Sequence, residues 1–162
     1  MQAISIAERH PPANDCLSIP EVGERNDLRS FEGIPGERIS IRVHSAQVGG
    51  RFSILESVAA PGCATPVHSH IEEEVFYIIS GNATFRLGDE THEVSPGCRI
   101  LIPAGTPHAW INRSGAELRM LAVFAPGGIE DLFPRIGGLP PDQVASLAAG
   151  YGTIVLGPPM PL

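Results

Sequence analysis

The sequence predicts an all-β domain, a barrel or sandwich of about eight short strands followed by short helices. Three observations predict it. Short runs of β-branched and aromatic residues recur from Arg38 onward, each ended by a turn signal. Glycine and proline are plentiful, 18 and 16 in 162 residues, and they fall mainly between those runs. The segment Gly62–Asn112 also carries histidines at spacings that suit strands meeting around a divalent metal.

The elements follow in order. Residues 1–36 read as an irregular arm, interrupted by Pro11-Pro12, Pro20 and Pro35-Gly36, with Ile4 and Ile6 as a short edge strand. Residues 37–126 read as the barrel. Arg38–Val43 and Arg51–Ala59 are strands separated by a Gly49-Gly50 turn, and Pro61-Gly62 ends the second. Val67–Ser80 reads as one long strand with polar residues first and Val75-Phe76-Tyr77-Ile78-Ile79 after them. Gly81-Asn82 leads into Ala83–Leu87, and Gly88-Asp89 into Glu90–Val94, a tight hairpin signal. Arg99–Ile102, His108–Asn112 and Leu118–Phe124 complete the set. Residues 127–162 change character: Ile129–Ile136 holds one or two helical turns around Pro134, Asp142–Ala149 is a helix stopped by Gly150, and Thr153–Leu156 is a closing strand. The chain is long enough for one domain with a sizeable core.

Composition excludes several functions. The net charge of −7 is spread along the chain, against nucleic acid as a partner. All eleven cations are arginines, so no lysine serves in Schiff-base or general-base chemistry. Cys16, Cys63 and Cys98 make neither a disulfide framework nor a zinc ribbon, and suit a reducing cytoplasm. No apolar run approaches membrane-spanning length.

The chemistry is expected in two patterns, Gly62-x5-His68-x-His70-x3-Glu74-x6-Gly81 and Gly97-x5-Pro103-x-Gly105-x2-His108-x3-Asn112. Residues of equal parity share a strand face, so His68, His70, Glu72, Glu74, Phe76 and Ile78 point one way. Imidazoles and a carboxylate beside Phe and Ile make a polar spot in an apolar lining, the layout of a metal or ligand pocket. Parity leaves Glu72 and Glu74 as alternative carboxylate ligands. The stiff Pro103–Pro107 loop fixes where the strand bearing His108 begins. Trp110 shares the parity of His108 and is expected to line the cavity. His10, His44 and His92 are expected to be structural or solvent-facing. Glu56 is expected to point outward, and Cys63 and Cys98 to be small packed residues, since no cation adjoins either thiol.

Both patterns resemble the two motifs of the cupin superfamily at every defined position, with fifteen residues between them. The resemblance implies a double-stranded β-helix, or jelly-roll barrel. It implies His68, His70, Glu74 and His108 as the metal ligands, which selects Glu74 over Glu72, and a homodimer. A narrower resemblance, to single-domain quercetin 2,3-dioxygenase-like cupins, lies in Gly49–Glu56, Phe124–Phe133 and Tyr151–Pro159. It implies a segment, Ile129–Phe133, that caps the barrel mouth. A mixed nitrogen and oxygen shell accepts Fe, Mn, Ni, Co, Cu or Zn.

The expected function is that of a metal-dependent dioxygenase acting on a small organic molecule that chelates through oxygen. Glu74 is its expected proton acceptor, and Phe76, Ile78 and Trp110 its substrate-binding residues. The alternatives are a sugar-type isomerase or epimerase, with Arg86 and Arg99 as phosphate candidates, and a sensor that binds a metal or small molecule without turnover.

Overall fold

The computed structural model of the chain describes residues 21–23 and 29–162. The Ile4–Ile6 strand, His10, Cys16 and most of the 1–36 arm lie outside the described residues.

Eleven strands and one α-helix are described. The strands are β1 (Ser30–Glu32), β2 (Glu37–Val43), β3 (Ser53–Ala59), β4 (Pro66–Ser69), β5 (Glu73–Ser80) and β6 (Ala83–Leu87). They continue as β7 (Glu90–Val94), β8 (Arg99–Ile102), β9 (His108–Ile111), β10 (Leu118–Ala125) and β11 (Ile154–Pro159). Short 3-10 turns at Ile129–Asp131 and Phe133–Arg135 and the helix α1 (Pro141–Ala149) separate the last two strands. Two sheets face each other, six strands in the order β1-β2-β3-β10-β5-β8 and five in the order β11-β4-β9-β6-β7. Every described strand pairing is antiparallel. This is the mostly β, two-sheet cupin fold with short helices, as the motifs imply. Among the described residues no helix is long and apolar enough to cross a membrane.

Alternation decides which faces meet. In β10, Leu118, Met120, Ala122 and Phe124 are buried while the residues between them are half-buried. In β5 the buried set is Glu74, Phe76 and Ile78, and Tyr77 lies on the outer face. These apolar faces, with Leu55, Phe85, Ile100, Ile102 and Trp110, form the core between the sheets. Burial of such side chains supplies most of the folding drive, about 1.5–3 kcal/mol for each large one.

The most consequential departure from expectation concerns Val67–Ser80. It is not one strand but two, β4 and β5, and they belong to different sheets. The chain crosses between the layers at His70-Ile71-Glu72. A second crossing, from β8 to β9, uses the loop holding Pro103 to Pro107. The two crossings touch: the Gly105 amide donates to the His70 carbonyl at 2.7 Å. Burial alternation nevertheless continues through the first crossing, since His70, Glu72 and Glu74 are all buried. The inward parity therefore holds from His70 to Ile78, although the single strand does not, and in β4 it is Val67 that is buried beside a half-buried His68.

The arm expected to be irregular contributes a strand, β1, paired with β2, and most other elements differ only at their ends. A 3-10 turn at Ser45–Val48, followed by Gly49 in the left-handed region, precedes the expected Gly49-Gly50 turn. Asn112, the last residue of the second motif, is structural: its side-chain amide donates to the carbonyls of Ala59 and Ala116. Its backbone pairs with Gly62 and Cys63, beside the first motif.

Gly81, the last residue of the first motif, has a φ of 80°. A Cβ built there would lie 2.5 Å from the Glu117 carbonyl oxygen and 2.8 Å from the Leu118 Cα. Both are backbone atoms and cannot rotate away. Gly81→Ala is therefore expected to lower unfolding free energy by about 2–4 kcal/mol in urea denaturation. A loss of under half a kcal/mol would show that the β5–β6 corner yields freely.

Candidate metal centre

The first and second motifs meet strand to strand. His68 of β4 lies directly opposite His108 of β9, and Glu74 of β5 faces inward from the other sheet, opposite Ile102 of β8. His70 sits in the crossing that joins β4 to β5. The site thus forms where the chain changes layers, and both sheets contribute to it.

Each imidazole is oriented by the backbone two residues away. The Nδ1 of His68 donates to the Pro66 carbonyl at 2.8 Å, that of His70 to the Glu72 carbonyl at 3.0 Å, and that of His108 to the Thr106 carbonyl at 2.8 Å. A carbonyl can only accept, so each Nδ1 carries the proton and each neutral ring presents a bare Nε2 lone pair. The potential ligand atoms of His68, His70 and His108 lie within 4.8 Å of one another. Glu74 Oε2 lies 3.1 Å from His70 Nε2 and 3.2 Å from His108 Nε2. The latter contact lacks hydrogen-bond geometry, and His108 Nε2 is a buried nitrogen without a hydrogen-bond partner.

Three lone pairs and a carboxylate oxygen therefore crowd one small volume with no donor among them. A cation, either a proton or a metal ion, relieves that arrangement most directly. The donor set fits a divalent transition metal: imidazole nitrogens with one hard oxygen, each ring held by a second hydrogen bond. The three histidines could hold the ion, with Glu74 beside them. Glu72 is turned to the other side of His70, with its carboxylate 3.6 Å from Nδ1. It cannot reach the Nε2 cluster from there.

Electrostatics agree with this reading. Burial, reinforced by the charge of His108, pushes His68 down to about 4, which keeps its ring neutral. Burial also opposes charge on His70, but the hydrogen bond and charge of Glu74 outweigh it and raise the imidazole. Glu74 is disfavoured as an anion by burial, yet its contacts with His108 and His70 hold it below the usual carboxylate range. Without a metal, His70 Nε2 is the preferred seat for a proton.

A cavity of about 130 Å³ opens beside the cluster. His68, His70 and Glu74 form its polar end. Phe76, Trp110, Leu55 and Phe124 line it from the sheets, and Ile129, Leu132 and Phe133 from the C-terminal turns. The expected capping segment does lie against the cavity. Phe76 and Trp110 take their expected places. Ile78 does not line the cavity; it is fully buried in the core, paired across to Met120. Its parity is inward, but it sits two residues farther along β5 than the cavity reaches.

The remaining histidines and acids fall elsewhere. His44 caps the Ser45–Val48 turn and contacts Asp131 at 3.0 Å. His92 is exposed on the β6–β7 hairpin. Glu56 points away from the cavity and is held by Arg42 and Arg119. Cys63 is a buried thiol pushed up to about 12 by burial and by Glu37, and so is no nucleophile at neutral pH.

Glu37 is the residue that reading the motifs missed. It opens β2, lines the same cavity and is 9 % exposed. Ser57 Oγ donates to its Oε1 at 2.6 Å. Burial raises its carboxyl to about 7, with Glu74 adding a smaller push in the same direction. A signal existed: Glu37 shares parity with the apolar Ile39 and Ile41, so it falls on the face that turns inward.

Residues 55–124 match the family described as the cupin domain. An uncharacterised protein of Methanocaldococcus jannaschii is 34% identical over 79 residues, covering 48% of this chain and 63% of that relative. The chain thus spans less than two thirds of that relative's length. The polyketide cyclase RemF from Streptomyces resistomycificus has a similar fold, with a TM-score of 0.59 at 23% identity. That likeness covers 82% of this chain and 99% of the cyclase. A salicylate 1,2-dioxygenase from Pseudoaminobacter salicylatoxidans gives a TM-score of 0.52 at 16% identity, over 62% of this chain and 30% of that enzyme. At these identities the two structures show the fold alone.

The raised Glu37 carboxyl has a consequence for stability. A group whose folded value lies above its unfolded one stabilises fully below the unfolded value, and that contribution is lost as pH rises through the folded value. The window runs from 4.5 to about 7. Glu37→Gln is expected to gain on the wild type across that window, by about 3 kcal/mol in all. Urea denaturation of both proteins below and above the window tests this; a constant difference would show that Glu37 ionises normally.

Proposed function

We propose that this cupin is a metal-dependent oxidoreductase, a dioxygenase acting on a small, largely apolar molecule that chelates through oxygen. The observation that carries the reading is the convergence of three imidazole nitrogens and the Glu74 oxygen at a polar end of a largely apolar cavity. His68, His70 and His108 would hold the ion, with Glu74 as the fourth ligand. A bound divalent metal supplies Lewis acidity, which lowers the pKa of a coordinated hydroxyl, and a site for dioxygen chemistry.

The chain's own side chains do the rest. Phe76 and Trp110 hold a flat, apolar substrate against the sheets and exclude water. Ile129, Leu132 and Phe133 close the mouth behind it. Glu74, fixed against His70 and His108, keeps the polar end anionic and favours a cation there. Cleavage of a flavonol is the narrowest form of this reading, and it rests on the quercetin 2,3-dioxygenase-like resemblance.

The lining supports an apolar chelator over a sugar phosphate. No arginine lines the cavity among the described residues, and Arg86 is turned to the Gly88 carbonyl and Asp89. A phosphate in the cavity would meet no arginine among the described residues. The homodimer stays part of the proposal, supported by the exposed apolar side chains Tyr77, Ile79 and Leu101 on the outer face of the larger sheet.

Metal content and oxygen consumption test the reading together. Purified protein is expected to carry close to one transition metal ion per chain, and His108→Ala to lose it. Metal addition to stripped protein is expected to raise unfolding free energy by about 3–4 kcal/mol at a hundred to a thousand times the dissociation constant. Oxygen uptake with a panel of flavonols, diketones and catechols should appear in wild type and vanish in His68→Ala and Glu74→Ala. Tight ligand binding with no oxygen uptake across the panel would instead identify a sensor.

A further inference from the structure

The cavity has a second polar station, away from the histidine cluster. Glu37 reaches it from β2 and Ser57 from the neighbouring strand β3, and both line the wall. They are buried. Ser57 holds one carboxylate oxygen, Oε1. The other, Oε2, has only a long 3.5 Å contact from the Ile34 amide, so it keeps most of its capacity to accept a hydrogen bond. Gly33 leaves it room: a Cβ there would come within 2.5 Å of Oε2.

Nothing in the metal centre uses this carboxyl. Glu74 Oε2 is committed to His70 and His108, whereas Glu37 contacts neither. A buried acid without a cationic partner is costly, and the cavity wall is an expensive place to keep one. Leu55 and Ala59 flank Ser57 on the same inward face, so an apolar pair at these two sites would suit the surrounding wall.

We propose that Glu37, steadied by Ser57, is the proton acceptor of the cavity: it takes the proton of a hydroxyl on the small molecule held at the histidine end. The hydroxyl O–H bond breaks, its electron pair stays on the ligand oxygen, and the proton rests on the Glu37 carboxylate. The ligand class is thus an apolar molecule with a weakly acidic hydroxyl, such as an enol or a phenol. This role replaces Glu74 as the acceptor and rests on the metal-site reading above. The titratable groups that face Glu37 are Glu74 from β5, Cys63 from the loop before β4, and the cavity histidines.

Calorimetry of catechol binding to zinc-loaded protein tests it, zinc being chosen because it carries no redox chemistry. Measured in buffers of different ionisation heat, binding reports how many protons reach the solvent. Above about pH 7, where Glu37 is ionised, wild type is expected to release about one proton fewer than Glu37→Gln. Well below that pH the two should release the same number. Affinity should fall at least about tenfold in Glu37→Gln. Ser57→Ala, which removes a bond that favours the anion, should move the difference to higher pH. If Glu37→Gln does not fold, the test is the pH at which proton release on binding changes, which should lie higher in Ser57→Ala than in wild type.

The outcomes separate. A wild type that takes up no zinc overturns the metal-site reading, and this inference with it. A wild type that binds zinc and catechol, with proton release unchanged in Glu37→Gln or in Ser57→Ala at every pH, overturns the Glu37 role alone.

Discussion

Four acceptor atoms meet with no donor between them, and much of the structure serves to keep them there. Left to themselves, three imidazole lone pairs and a carboxylate oxygen repel one another. They stay together because each ring is fixed from behind: the Nδ1 protons of His68, His70 and His108 are all taken by main-chain carbonyls. Those carbonyls belong to strand ends and crossings that the core holds in place. The pairing of His68 with His108 and of Glu74 with Ile102 puts both sheets behind the same few ångströms. A cation therefore meets a site already shaped for it, and little ordering remains to be done on binding.

The histidine end is polar and, Glu37 and Ser57 aside, most of the cavity wall is apolar, which separates two tasks. Under the proposed function a substrate body would rest on Phe76, Trp110 and the C-terminal turns, where contact area matters more than direction. Direction comes from the His–Glu cluster and from Glu37. The two carboxyls respond to burial differently because their neighbours differ. Glu74 has two imidazoles against it and is held as an anion. Glu37 has a hydroxyl and a distant amide, so desolvation wins and its carboxyl rises. A pair of acids pushed apart by their surroundings is a common basis for dividing roles in one pocket.

Glu56 shows how little sequence distance decides such roles. It sits next to Ser57, yet alternation turns it to the outer face, where Arg42 and Arg119 neutralise it. Of Glu74, Glu37 and Glu56, all on strands of the larger sheet, the first is held as an anion in the pocket, the second is raised there, and the third lies outside it.

The amino-acid sequence by itself determined the all-β class and most strand positions, and its resemblance to the cupin motifs singled out the residues of the His–Glu cluster. These follow from local rules: turn residues end strands, period-two alternation selects a face, and imidazoles at fixed spacing share that face. It also placed Phe76 and Trp110 on the cavity side. What only the tertiary structure decided was distance between segments far apart in the chain. Parity gave Ile78 the correct side but could not say where the cavity ends. Nothing in Val67–Ser80 marks the point where the chain leaves one sheet for the other, because His70, Glu72 and Glu74 stay buried straight through the crossing. Glu37 lies outside both motifs, and it enters the pocket because β2 pairs with β3 and brings it beside Ser57. Local chemistry fixes which way a side chain points; the packing of one sheet against the other fixes what it meets.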